Sequence, residues 1–260
     1  MAGHVRLGHI ALSFHQASAA VVQLLIEQNG YTVELSAAPH GEMFERFGRG
    51  EVDMVCSAWL PASHGIYLSH LEDQVIKLGV LYEPYCIWGV PEYVPADAVA
   101  TIDDLKKPGV AAKMRKVIQG INPGAGISRF SQRMIEDYGL AAEGYSFKSG
   151  TEADCFGTFE TGVKNGDWLV VPLWHPQWLH HRYKVRALDE PRGLLGGVDQ
   201  ATLVANRRLA ASMDPDLVQH LKALTLGNSA ITALDYAICR EGISARDAAF
   251  AKYPTGSIVG

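Results

Sequence analysis

The sequence predicts an α/β protein of two lobes with a ligand cleft between them, and three observations carry that expectation. The 260-residue chain runs twice through alternating strand-like and helix-like segments, the pattern of a largely parallel sheet covered by helices. It passes between the two series near 89–91 and again near 196–201, giving a discontinuous first lobe (1–90 and 196–260) and a second lobe (91–195). Two apolar runs without alternation, 52–58 and 169–173, read as strands buried on both faces. Each is followed at once by a tryptophan turn, Trp59-Leu60-Pro61 and Trp174-His175-Pro176, and strand ends are where an open α/β sheet presents its ligand.

In order, residues 5–12 read as the first strand and 13–16 as a loop. Helix 17–29 carries Ala20, Leu24 and Leu25 on one side and ends at Asn29-Gly30, a good helix stop. Strand 31–35, helix 41–49 with Met43, Phe44 and Phe47 inward, and strand 52–58 complete the first series. Strand 84–90 stops at Pro91, and Thr101 is the N-cap of a short helix. The second series is strand 115–121, a loop 122–128, helix 128–138 closed by Gly139, strand 144–148, helix 151–164 and strand 169–173. Tyr183 to Leu188, a glycine-rich turn at 193–197 and strand 201–205 follow. Helices 214–226 and 228–240 close the chain, the first opened by Asp214-Pro215, an N-cap before proline at the first helical position.

A formal net charge of −5 provides no basic field, so nucleic acid is not an expected partner. Cys56, Cys86, Cys155 and Cys239 are far apart without a CxxC spacing and read as small apolar residues rather than a disulfide or metal site. No run approaches the roughly 18 apolar residues of a membrane span, and no signal peptide is visible at the N-terminus.

Three features point to a ligand. Trp59 and Trp174 are placed by different lobes, and indole faces attract cations, above all desolvated quaternary ammonium groups. Trp88 and Trp168 lie inside strand runs and read as packing. The loop Asn122 to Ser128 opens a helix whose first amides, Gly126 and Ile127, suit an anion such as a carboxylate. It lacks GKS, GKT and GxGxxG, so it is no phosphate loop. Of the ten histidines, His64 and His175 flank the tryptophan turns; no HExxH or HxH is present, and neither a metal nor another cofactor is expected. There is no GxSxG elbow. An enzyme using His15, His64 or Cys155 is a minor alternative.

The pieces GEVDMVCSAWLPASHGIY (50–67), VIKLG (75–79), WGVPEYV (88–94), TIDDLKK (101–107), INPGAGI (121–127) and VVPLWHPQWLHHRYKVRALDEP (170–191) together resemble the glycine betaine/choline/carnitine-type substrate-binding proteins of ABC transporters. The resemblance covers most of 5–191 and implies a type II periplasmic-binding-protein fold that holds a quaternary ammonium in an aromatic cage and a carboxylate on backbone amides. On this basis Trp59 and Trp174 are two cage walls, and Gly126 and Ile127 the carboxylate-binding amides. Where betaine-binding members have a third cage tryptophan this sequence has Leu12; Phe14, Tyr85 and Tyr145 are candidate replacement rings. Where they have a histidine before the second tryptophan of WxPxW, this chain has Gln177, which donates a hydrogen bond but carries no charge.

The expected function is the solute-binding component of an ABC importer that performs no chemistry. It closes on a small quaternary-ammonium or zwitterionic, glycine betaine-like solute through Trp59, Trp174, Gly126, Ile127, Gln177, Phe14, His64 and Tyr145. The expected partner is a transporter permease, the expected state a monomer and the expected location periplasmic or cell-surface. The alternative is a cytoplasmic ligand-sensing domain of the same fold with a different small molecule.

Overall fold

The computed structural model describes residues 3–254. The strands are β1 (His4–Ile10), β2 (Thr32–Ala38), β3 (Met54–Leu60), β4 (Val75–Val80) and β5 (Tyr85–Pro91). They continue as β6 (Val117–Gln119), β7 (Ser146–Lys148), β8 (Val171–His175), β9 (Val185–Ala187) and β10 (Gln200–Asn206). The helices begin with α1 (Ser13–Gln28), α2 (His40–Gly48), α3 (Gly65–Leu68), α4 (Pro108–Ala111), α5 (Gly126–Asp137) and α6 (Glu152–Asn165). They end with α7 (Leu179–Arg182), α8 (Arg207–Ser212), α9 (Pro215–Ala223), α10 (Asn228–Arg240) and α11 (Ala245–Lys252). Among the described residues no helix is long and apolar enough to cross a membrane.

Two compact units result. The first holds residues up to Pro84, Pro176–Trp178 and those from Asp199 on; the second holds Tyr85–His175 and Leu179–Val198. The sequence boundary at 90/91 groups β5 with the first unit, but its ladder partners, β8 and β9, lie in the second. The first unit is built on a sheet of order β2-β1-β3-β10-β4. β1 is parallel to β2 and β3, and β10 runs antiparallel between β3 and β4. All seven residues of β3 are buried, as a strand covered on both faces requires. Helix α1 packs on β1, β2 and β3 and on α10 and α11. The Arg6 guanidinium donates to both Asp53 oxygens, at 2.6 and 2.8 Å, and Asn206 Nδ2 donates to Asp53 Oδ1 at 3.2 Å. This joins β1, the approach to β3 and the end of β10. Gly79 on β4 lies so close to α9 that a Cβ would stand 2.4 Å from Leu221 O.

The second unit holds an antiparallel sheet, β8-β5-β9, and a parallel pair, β6-β7. Trp88 is fully buried on β5 and donates from Nε1 to Ser131 Oγ of α5 at 2.8 Å, the packing role its position predicts. Helix α6 opens on a capping box between Thr151 and Asp154, which satisfies two otherwise orphaned amides.

Several expected elements are shifted. Helix α1 starts at Ser13 instead of 17, because Leu12, extended at φ −135°, precedes four residues that already follow the helix. β6 and β9 are three residues each, shorter than read from sequence. Trp59 and Trp174 lie within their strands, not past them: Trp59 faces Ala201 of β10, and Trp174 faces Cys86 of β5. β4 and α11 are additions.

Candidate functional site

In the first unit a buried ring cluster forms around Trp59, which is 5% exposed. Phe14 and His15, from the first turn of α1, lie 5.3 and 5.5 Å from it between ring centroids. His64 stacks at 6.0 Å and Tyr82 meets it edge-on at 6.3 Å. The turn after β3 is locked by backbone geometry. Trp59 N–H donates to His64 Nδ1 at 2.8 Å and His64 N–H returns to Trp59 O at 2.8 Å. Asp199 accepts from Ala62 N–H at 2.7 Å and Ser63 N–H at 3.0 Å. The indole N–H donates to Tyr82 Oη at 3.1 Å, and Ser57 Oγ lies 2.9 Å from the same oxygen. Phe14, Trp59 and His64, singled out from sequence, thus come together.

Burial holds the His15 imidazole well below the usual histidine range, reinforced by the nearby His40 and His9. Burial also pushes the Tyr82 hydroxyl up, and the Cys56 thiol up to about 12. At neutral pH the cluster therefore presents π-faces with an uncharged His15, tyrosine and thiol. Such a surface favours a weakly hydrated cation.

In the second unit Trp174 is 1% exposed, with Phe156 of α6 tilted against it at 5.8 Å. His175, its neighbour on β8, faces the opposite side of the strand and stacks on Tyr85 at 4.6 Å and on His180 at 3.5 Å. Tyr85 therefore does not share the Trp174 face. Burial, then the adjacent His175, lowers His180 to about 4. Helix α5 packs against β8 and begins at Gly126, after Ala125, with no side chain capping it. The amides of Gly126 and Ile127, both buried, precede any intrahelical acceptor and are free to donate to an anion.

Gln177 is completely buried, in the short segment Pro176–Trp178 that belongs to the first unit. That segment is anchored where Trp178 N–H donates to Asp235 Oδ2 of α10 at 2.7 Å, with the Arg240 guanidinium 4.8 Å over the Trp178 ring. Tyr145, expected as a cage ring, has other contacts in the second unit. Its hydroxyl donates to Leu105 O at 2.9 Å and the Lys116 ammonium covers its ring at 4.0 Å, so the fold already engages both. Sequence reading missed His15 and Tyr82 as members of the Trp59 cluster, and Phe156 beside Trp174. Burial raises the Cys155 thiol far above the range of a nucleophile. Among the described residues no group of three His, Cys, Asp or Glu could hold a metal ion.

Comparison with known proteins places these clusters in context. The glycine betaine/carnitine transport binding protein GbuC of Listeria monocytogenes is 26% identical over 106 residues. That match spans 41% of this chain but only 35% of GbuC. The glycine/betaine/L-proline-binding protein ProX of Borrelia burgdorferi superposes with a TM-score of 0.86 at 24% identity, covering 99% of this chain and 97% of that one. Lactococcal OpuAC, in a closed form with glycine betaine, gives 0.84 at 22% identity, over 96% and 94% of the two chains. A choline-binding ABC-transporter protein with choline gives 0.81 at 17% identity, over 96% and 87%. These likenesses establish the mixed α/β periplasmic-binding-protein fold that the sequence motifs imply. The family described as the substrate-binding domain of ABC-type glycine betaine transport systems matches residues 3–252, nearly the whole chain, and the protein belongs to that family.

Proposed function

We propose that this protein captures a small quaternary-ammonium or zwitterionic solute of the glycine betaine type and delivers it to an ABC-transporter permease outside the cytoplasm. Family membership makes it a binding component, not an enzyme. The observation that carries the ligand reading is the hub position of Trp59, an indole held by Tyr82 and ringed by Phe14, His15 and His64. Trp174 supplies the second indole, and the Gly126 and Ile127 amides receive the carboxylate. The reading also assigns His64 and Gln177 to the polar end of the ligand, and it takes the working form to be a monomer.

Support comes from chemistry as well as kinship. A quaternary ammonium has no N–H to donate, so flat π-faces and exclusion of water select it where hydrogen-bond acceptors would not. The direct test is a tryptophan-fluorescence titration with glycine betaine, proline betaine, carnitine, choline, trimethylamine oxide and unmethylated amino acids. A saturable response to at least one methylated compound, sharply weakened in Trp59→Ala and in Trp174→Ala, is expected. Silence toward every methylated compound from a folded protein would overturn the assignment.

A further inference from the structure

We infer that His15 is a specificity-determining residue of the Trp59 site, presenting its Nε2–H as a hydrogen-bond donor to a carboxylate oxygen of the solute. The inference rests on the ligand reading above and narrows it to carboxylate-bearing compounds over bare quaternary cations.

The argument begins with the edge of β3. The ladder that β1 makes on β3 ends at Val55. Beyond it two β3 amides turn to histidines instead: Ser57 N–H points at His15 Nδ1 at 3.5 Å, and Trp59 N–H donates to His64 Nδ1 at 2.8 Å. A backbone N–H can only donate, so Nδ1 of each ring carries the lone pair and the proton sits on Nε2. A second chain of bonds agrees for His15. The indole N–H of Trp59 can only donate, so Tyr82 Oη accepts at 3.1 Å and its own proton is available to Ser57 Oγ at 2.9 Å. In that arrangement the Ser57 proton is directed to His15 Nδ1 at 3.4 Å.

His15 is 1% exposed, and among the described hydrogen bonds its Nε2–H has no protein acceptor. The ring stands 4.5 Å from Phe14, 5.5 Å from Trp59 and 5.9 Å from His64, which makes it part of the Trp59 cluster. A neutral N–H offers nothing to a methylated ammonium but binds a carboxylate oxygen strongly. The effect is one of discrimination: a ligand lacking the acceptor leaves the donor without the bond that a carboxylate would make.

The test compares glycine betaine with tetramethylammonium by calorimetric titration in the wild type, His15→Phe and His15→Gln. His15→Phe keeps a ring and removes the donor; His15→Gln keeps a donor near the ε position. The ratio of the two affinities should fall by about tenfold to a hundredfold in His15→Phe and recover in His15→Gln. An unchanged ratio in a His15→Phe protein that still binds overturns the inference and leaves the ligand reading standing. Failure of the wild type to bind any methylated compound defeats the ligand reading itself. A measurement on the wild type covers a variant that does not fold. The His15 Hε2 proton resonance should move downfield on saturation with glycine betaine and not with tetramethylammonium, and no movement with bound betaine counts against the proposal.

Discussion

Replacing Trp59 by Phe separates what the indole N–H contributes from what the ring contributes. The substitution deletes the donor that Tyr82 Oη accepts at 3.1 Å, a loss of about 1 kcal/mol. It also leaves a void on the order of 40 Å³ in a site only 5% exposed, which at about 24 cal/mol per Å³ adds about 1 kcal/mol. The sum, about 2 kcal/mol, lowers the melting temperature by about 4–8 °C for a chain of this size. The assay is urea denaturation followed by far-UV circular dichroism, run as a double-mutant cycle with Tyr82→Phe. If the indole–phenol bond is formed as described, the two substitutions couple by about 1 kcal/mol. Additivity within about 0.3 kcal/mol would refute the bond and with it the orientation of the Ser57–His15 chain. Ligand affinity is the second readout. A phenyl face in place of an indole costs about 0.5–1 kcal/mol, or roughly two- to fivefold, and Trp59→Ala costs about 2 kcal/mol, roughly thirtyfold.

Other outcomes are as specific. Gly79→Ala drives a Cβ to 2.4 Å from Leu221 O and 3.1 Å from Lys222 O, and backbone cannot swing aside as a side chain can; a loss of about 3 kcal/mol or more, seen as a lower urea midpoint, is expected. Burial raises Asp235 to about 6 from 3.8, so its protonated form is favoured on folding and its contribution to stability is lost as pH rises through about 6. Asp235→Asn should flatten the stability profile between about pH 4 and 6 while still accepting Trp178 N–H, and a profile parallel to wild type there would contradict the shift. His15 has the opposite sign: its folded value lies below 6.5, so the stability it confers is lost as pH falls from about 6.5, and His15→Gln should lessen acid destabilisation. Cys239 is exposed while Cys56 and Cys155 are buried; a thiol reagent followed by mass spectrometry should label Cys239 in the native protein and the buried pair only after unfolding, and rapid native labelling of Cys155 would contradict its burial.

The parts of the fold that sequence makes legible are those with local signals. β3 shows itself as an unbroken apolar run, α6 through Thr151 and Asp154 three residues apart, and α9 through Asp214-Pro215, whose aspartate accepts from two first-turn amides. The first turn of α1 was missed because no side chain caps it. β4 carries a weak pattern and owes its pairing to β10, more than a hundred residues later. Helix α11 did carry a local cue, since Ser244 accepts from Asp247 N–H, but its alanine-rich run has no strong apolar stripe. At the site, the tryptophans were found because each follows an apolar run and precedes a proline. His15 and Tyr82 were not, because what makes them members of the cluster is a bond or ring contact to residues 57 and 59, and such long-range pairings leave no mark on local sequence. Tyr145 carries contacts that sequence does not show. An aromatic residue near a suspected site is more often committed to packing, here to Leu105 and Lys116.

The place of β10 in the first sheet bears on how the chain is made. The strand that lies between β3 and β4 is the last of the described strands to be synthesised. Until residues 200–206 leave the ribosome, β4 lacks its ladder neighbour and one edge of β3 stands open. Vectorial folding from the N-terminus therefore stalls at a half-sheet, and the entire second unit is translated before the first can close. Such long-separated pairing slows folding and leaves apolar strands exposed meanwhile.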